Sequence, residues 1–201
     1  MPGSVERGQG FVRQHELIEQ LQGDVDKAYT LLEEDKSSQY LRRCVVRAVF
    51  SLIEALIECL KWELRSSVRT GRFQGRLTPT EQEVLGALHV IGQRSDKFLT
   101  LDQSVKKTFR LAAKIWDLPN FKLNTGGADF EDFLSAKVAR NRLTHPKTVY
   151  DIEVTDLDMH CHTIAGIWLL AEFRRLFQFR TDALDQSIAA IKEKWDEHPN
   201  M

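Results

Sequence analysis

The sequence predicts an all-α protein, an up-and-down bundle of roughly five to seven helices joined by short connectors. Three observations carry this. Apolar residues recur three and four apart through most of the chain. No two alternating segments pair convincingly as strands. Glycine and proline gather in a few breaks between the periodic runs.

The elements follow in order. Residues 1–10, "MPGSVERGQG", read as a flexible N-terminus, and residues 11–201 as a single helical domain. The first helix covers 11–35, with Phe11, Leu17, Ile18, Leu21, Val25, Ala28, Leu31 and Leu32 as its apolar face. It fits either an arm or dimerisation helix, or a member of the bundle. A second helix spans 38–66, with a stripe of Leu41, Val45, Ala48, Leu52, Leu56 and Leu60. "SSVRTGRFQGRLTP" breaks the pattern and reads as a loop. "TPTEQEVLGALHVIG" restarts a short helix. Thr78 is its N-cap, Pro79 its first residue, and Glu81 completes a capping box.

A helix over 101–116 presents Val105, Phe109, Ala112, Ala113 and Trp116 on one side. "DLPNFKLNTGGAD" is a loop, and a helix over 129–144 follows it. "PKTVYDIEV" reads as a connector, briefly extended. Thr155 and Asp158 cap a long helix to about 179, with Leu157, Cys161, Ile164, Ala165, Trp168, Leu169 and Leu176 inward. "TDALDQSIAAIKEKW" forms a separate last helix. Trp62, Trp116 and Trp168 are expected in the core, and Trp195 as an anchor for that last helix.

Composition narrows the function. The chain has 201 residues, 42% hydrophobic and 28% charged, with a net charge of −1. Such a chain is a soluble globular protein, and its nucleic-acid contacts must come from a local patch. The longest apolar run, "CVVRAVFSLIEALIECL", is interrupted by Arg47, Glu54 and Glu58. It falls short of a membrane span. With no signal core at the N-terminus, the expected compartment is the cytoplasm. The 3 cysteines, Cys44, Cys59 and Cys161, are far apart in helical runs and read as small buried hydrophobes. The "HCH" triplet at 160–162 points in three directions on a helix, so it does not converge on zinc. Both of its histidines read as structural. We expect neither metal nor cofactor.

One stretch carries chemistry. "KVARNRLTHPK", residues 137–147, holds Lys137, Arg140, Arg142 and Lys147 with Asn141, His145 and no acid. Asn141 and His145 are four apart and share a helix face. Arg140 lies about 100° round the helix, within reach of the same end. Pro146 disfavours α geometry at His145, which places the imidazole at the helix C-terminus. Guanidinium, amide and imidazole together suit a phosphodiester. Arginine forks phosphate oxygens and histidine moves protons near neutral pH. The bland reading is a histidine favoured by the helix dipole among ordinary surface residues.

"ARNRLTHP" resembles the signature of HEPN domains, which occur in prokaryotic toxins, phage-defence systems and RNA-processing proteins. That signature is Arg, a polar residue such as Asn, a few residues, then His, at the end of the penultimate bundle helix. Arg140, Asn141 and His145 match it. "VFSLIEALIECL" resembles an early helix of these domains that carries a glutamate, here Glu54. The likeness covers about 38–180, and only the Arg-Asn-His part of it is a motif.

The resemblance implies a metal-independent endoribonuclease acting as a homodimer, two motifs facing one cleft. The RNA 2′-OH attacks the adjacent phosphate, leaving a 2′,3′-cyclic phosphate. His145 is general acid or base, and Arg140 stabilises the phosphate oxygens. Asn141 orients His145 or binds the backbone, and Glu54 positions Arg140. A toxin or anti-phage role, with a cognate antitoxin or regulatory protein as partner, follows by family analogy alone. Some members carry a tyrosine two residues after the histidine that a partner enzyme modifies. Lys147 stands there, so that regulation is not carried over.

Other basic residues extend the expected RNA surface: Lys137, Arg142 and Lys147 beside the motif, and Arg65, Arg69, Arg72 and Arg76 in the 61–76 stretch. Phe73 is available there to stack on a base. Against this stands an ordinary solvated loop. Glu54 and Glu58 fit either a polar stripe, with Glu58 pairing Lys61, or a carboxylate facing Arg140. No second carboxylate pair with histidine supports a di-iron site. The alternative function is a non-catalytic module holding RNA, a nucleotide or a protein in the same basic cleft. A DNA-binding regulator is disfavoured, since no helix-turn-helix with a basic second helix stands out.

Overall fold

The computed structural model describes residues 4–86 and 99–197. Among them the chain is all-α, with six α-helices and no strand: α1 (Ser4–Glu34), α2 (Gln39–Arg69), α3 (Pro79–Val84), α4 (Leu101–Ile115), α5 (Ala128–Thr144) and α6 (Asp156–Glu197). No helix among the described residues is long and apolar enough to cross a membrane.

α2 is the hub. It packs against α1, α4, α5 and α6, so it is buried over a wide arc. Of the expected stripe, Val45, Leu52 and Leu60 are buried, and Leu41, Ala48 and Leu56 pack half-buried on the core. Val46, Phe50, Ile53, Ile57 and Leu64 bury a second face that a single stripe does not contain. Ser38 caps α2, its side chain accepting from the Leu41 amide at 3.4 Å. α1 runs back along α2 and places Val25, Ala28 and Leu32 in the common core. It begins at Ser4, inside the stretch expected to be flexible.

Thr78 and Glu81 form the expected capping box on α3, with Pro79 at the first helical position. The helix stops at Val84 because Gly86 turns the chain with φ +65°, a left-handed conformation suited to glycine. The remainder of the expected helix, 87–92, lies outside the described residues. In α4, Val105, Phe109 and Ala112 are buried, and Phe109 meets Phe173 edge-on at 5.0 Å. Trp168 is buried between Phe130 and Phe133, and its indole N–H donates to the Asn124 carbonyl at 3.1 Å. Trp62 and Trp116 are only half-buried, and the side chain of Trp195 lies outside the described residues.

Two connections differ from expectation. The 146–154 connector is not extended but holds a 3-10 turn, Val149–Ile152. Asp151 folds it by accepting from the Lys147 amide at 2.9 Å, the Thr148 amide at 2.7 Å and the Thr148 hydroxyl at 3.0 Å. Those bonds, the Lys147 amide first, hold the Asp151 carboxyl below its usual range. α6 is one helix through the expected break near 180. Thr181, where the separate last helix was expected to begin, donates its hydroxyl back to the Phe177 carbonyl at 3.0 Å. Gln178 and Asp182 bridge the junction at 2.8 Å. Neither glycine nor proline interrupts this part of the helix.

Cys161 is buried, whereas Cys44 and Cys59 are half-buried, and all three are free. The Cys59 thiol donates to Gln14 at 2.8 Å, and burial raises its pKa. His160 is exposed and His162 is fully buried, so the "HCH" side chains diverge as expected.

Candidate functional site

α5 presents the motif because its inner face is apolar and small. Ala136, Ala139 and Leu143 are buried. Leu143 shares a small cluster with Val46 of α2 and Val154 of the connector, with Met159 against it. That cluster holds the α5 end against its neighbours, with Asn141 and His145 exposed and Arg140 half-buried at its flank. His145 is the C-cap residue with φ −129° and ψ 59°, non-helical as Pro146 requires. Its backbone N–H still donates to the Asn141 carbonyl at 3.1 Å. The His145 side chain is exposed.

Arg140 is the centre of the arrangement. One guanidinium nitrogen, Nη2, donates to Glu54 Oε1 of α2. The other, Nη1, donates to Asn141 Oδ1 at 3.2 Å. The Arg140 side chain is 31% exposed and Glu54 43%, so the pair lies at the rim of the bundle, open to solvent. The glutamate therefore takes the positioning geometry, while Glu58 takes the ordinary one by pairing with Lys61 at 2.6 Å. Asn141 spends its carbonyl oxygen on Arg140, and its link to His145 is through the backbone.

The neighbouring cations divide. Arg142 is turned inward: its guanidinium donates to Asp158 Oδ2 at 2.9 Å and to the Glu153 carbonyl at 2.9 Å. Burial pushes the Asp158 carboxyl up, but the Thr155 and Arg142 bonds outweigh it and the pKa is lowered. Lys137 is bound to Asp102 of α4 at 2.6 Å. These two are tied into the fold. Lys147 is exposed in the connector, and its amide helps cap the 3-10 turn.

In the other basic stretch, Arg65 donates to the Leu85 carbonyl. Arg69, Arg72 and Arg76 are exposed. Phe73 is not presented for stacking. It is half-buried against the core and folds back over Gly75, where an added Cβ would collide with its ring.

The polar face of α2 continues the arrangement. Arg43, Arg47, Ser51, Glu54, Glu58, Lys61, Arg65 and Arg69 are spaced three or four apart and form one polar stripe. It runs about 22 Å from Glu54 to Arg69, at 1.5 Å per residue. The motif and the arginine loop thus lie along one helix face, not side by side. Arg47 is exposed two turns before Glu54, on the same side of α2, as its seven-residue spacing from Glu54 predicts.

Beneath the site, His162 is fully buried on α6. Its Nδ1 lies 2.6 Å from the Asp158 carbonyl, and its ring meets Phe50 edge-on at 5.3 Å. Burial lowers its pKa, so the ring is neutral and its Nδ1–H donates. Its role is packing, as expected. No group of His, Cys, Asp and Glu suited to a metal ion occurs among the described residues.

Comparison with known proteins finds no matching family model, no matching curated protein and no matching solved structure.

Proposed function

We propose that this chain is a HEPN-type endoribonuclease that cleaves RNA without a metal ion, working as a homodimer in a toxin or anti-phage role. One arrangement supports the reading. Arg140 is held at an open rim by Glu54 and Asn141, and the exposed His145 imidazole follows one turn later at the helix end.

A guanidinium has five N–H donors. Glu54 and Asn141 occupy two of them, and the others remain for phosphate oxygens. Fixing the group before RNA arrives lowers the entropy cost of meeting the transition state. In the reaction, the 2′-oxygen bonds to phosphorus and the phosphorus–5′-oxygen bond breaks. One imidazole removes the 2′-OH proton, and a second acid returns a proton to the 5′-oxygen. One chain contributes a single motif histidine, so a two-fold partner supplies the other. Arg140 balances the charge that builds on the phosphate oxygens. Arg47, Arg69, Arg72, Arg76 and Lys147 offer exposed charge for the RNA backbone.

The test is purified protein with RNA in EDTA, followed by analysis of product ends. The expected result is cleavage to 2′,3′-cyclic phosphates. His145→Ala lowers the rate about 10²–10⁴-fold, and Arg140→Ala about 10²–10³-fold, with far-UV circular dichroism unchanged. RNA retained without cleavage replaces this reading with the non-catalytic module. Cleavage that survives His145→Ala overturns it.

A further inference from the structure

The last third of α6 continues past the bundle, and its residues from 184 to 193 are all exposed. It is not a uniformly polar extension. Leu184, Ile188 and Ile191 are 55%, 50% and 64% exposed. Their four-then-three spacing puts them on one line of the helix, and Phe177, 42% exposed, extends that line by one heptad. Isolated exposed apolar residues need no explanation, but a row at coiled-coil spacing on a projecting helix does. Phe177 packs beside Trp116 at 5.6 Å, whereas Leu184, Ile188 and Ile191 stay at least half-exposed among the described residues.

We infer that the row is a contact with a second copy of this chain, the two α6 ends pairing antiparallel. The flanking charges select that occupant. Asp185 and Lys192 are seven residues apart, both exposed, and lie on the same flank of the row. In an antiparallel pair, like flanks meet. With the two-fold axis near Ile188, Asp185 of each copy faces Lys192 of the other, and Leu184 meets Ile191. A parallel pair instead sets Asp185 against Arg180 of its mate. Arg180 is already committed: it bonds Glu63 at 3.2 Å and stacks 4.1 Å over Trp116.

This contact does not assemble the RNA site. The motif stands beside the start of α6, where Arg142 binds Asp158. Ile188 lies about 45 Å further along the same helix, at 1.5 Å per residue. Two copies joined at their α6 ends therefore hold their Arg140 sites far apart. If the motifs also pair, each chain carries two different two-fold contacts, which builds a closed tetramer or a chain of copies. The row is narrow beside a standard interface of about 1,200–2,000 Å². Association through it is consequently concentration-dependent.

Sedimentation of the full chain over a range of micromolar concentrations tests this. The wild type is expected to associate, and Leu184→Asp/Ile188→Asp to lose that step, weakening self-association at least tenfold. Unchanged circular dichroism separates lost pairing from lost folding. Asp185→Lys alone sets lysines against each other and weakens the pair. Asp185→Lys/Lys192→Asp exchanges the charges and restores it. A strictly monomeric wild type overturns the inference, as does association untouched by the double aspartate variant. Failure of the charge exchange to restore pairing overturns the antiparallel self-contact and points to a different protein partner. Arg140→Ala and His145→Ala leave this step in place, so the inference and the nuclease reading fail separately.

Discussion

The two basic stretches of this chain look alike in sequence and behave differently in the fold. In 137–147, Lys137, Arg140 and Arg142 each meet a carboxylate from another element: Asp102, Glu54 and Asp158. In 61–76, Arg65 caps the Leu85 carbonyl, while Arg69, Arg72 and Arg76 stand in solvent. A local surplus of positive charge therefore says little about use. What matters is whether another helix brings an acid to the cation. The first stretch is pinned, and pinned groups suit geometry-dependent chemistry. The second is loose, and loose cations suit tracking a phosphate chain.

Breaking a pin is the severest test of that contrast. Arg142→Ala removes the Asp158 pair and the Glu153 bond together, and leaves a carboxylate only 18% exposed without its cation. A fully buried broken pair costs about 3–5 kcal/mol. With Arg142 31% exposed, screening reduces this to about 2 kcal/mol. The expected result is a fall in Tm of about 4–8 °C. Arg69→Ala, by contrast, should move stability by less than about 0.5 kcal/mol. Equal shifts in the two variants, read by thermal unfolding, break the distinction.

The converse variant sharpens it. Removing Arg69, Arg72 and Arg76 together should leave stability nearly unchanged and weaken RNA binding. Each single-strand phosphate contact contributes about 0.7 to the slope of log K against log salt, so the triple variant should lower that slope by about 2. Affinity measured at several salt concentrations checks this. An unchanged slope means the loop does not touch RNA.

Much of this fold was legible, for a physical reason. Capping at Thr78 and the stop before Pro146 are decided within a few residues, and the sequence shows those residues side by side. The same holds for the exposure of Asn141, since Ala136, Ala139 and Leu143 form the opposite stripe. Three features were not legible. Phe73 turns inward because a core lies beside it. α6 runs on through Thr181, whose hydroxyl bonds back to Phe177, because neither glycine nor proline breaks the helix there. Arg142 and Lys137 lose their freedom to acids 16 and 35 residues away. Spacing cannot announce partners that only packing brings together.

The smallest expected effect probes the pinned region from inside. His162 lies beneath the Arg142–Asp158 pair, and burial, with help from Arg142, holds its pKa below the ordinary value; the Asp158 carbonyl and carboxylate pull the other way. In the unfolded chain the ring takes up a proton near pH 6.5. Below that pH the unfolded state binds more protons than the folded one, so stability declines as pH falls from about 6.5 towards the folded-state pKa. The loss per pH unit from one such group is at most about 1.4 kcal/mol. The depressed carboxylates, Asp158 and Asp102 among them, add their losses only at more acid pH. The two contributions therefore separate along the pH axis. His162→Gln, which cannot titrate, should flatten the profile just below about pH 6.5 and leave the acid limb in place. Denaturant titrations at half-unit steps measure it. A wild-type profile already flat in that window means the buried ring is reached by water, and the pinned end of α5 is looser than its hydrogen bonds suggest.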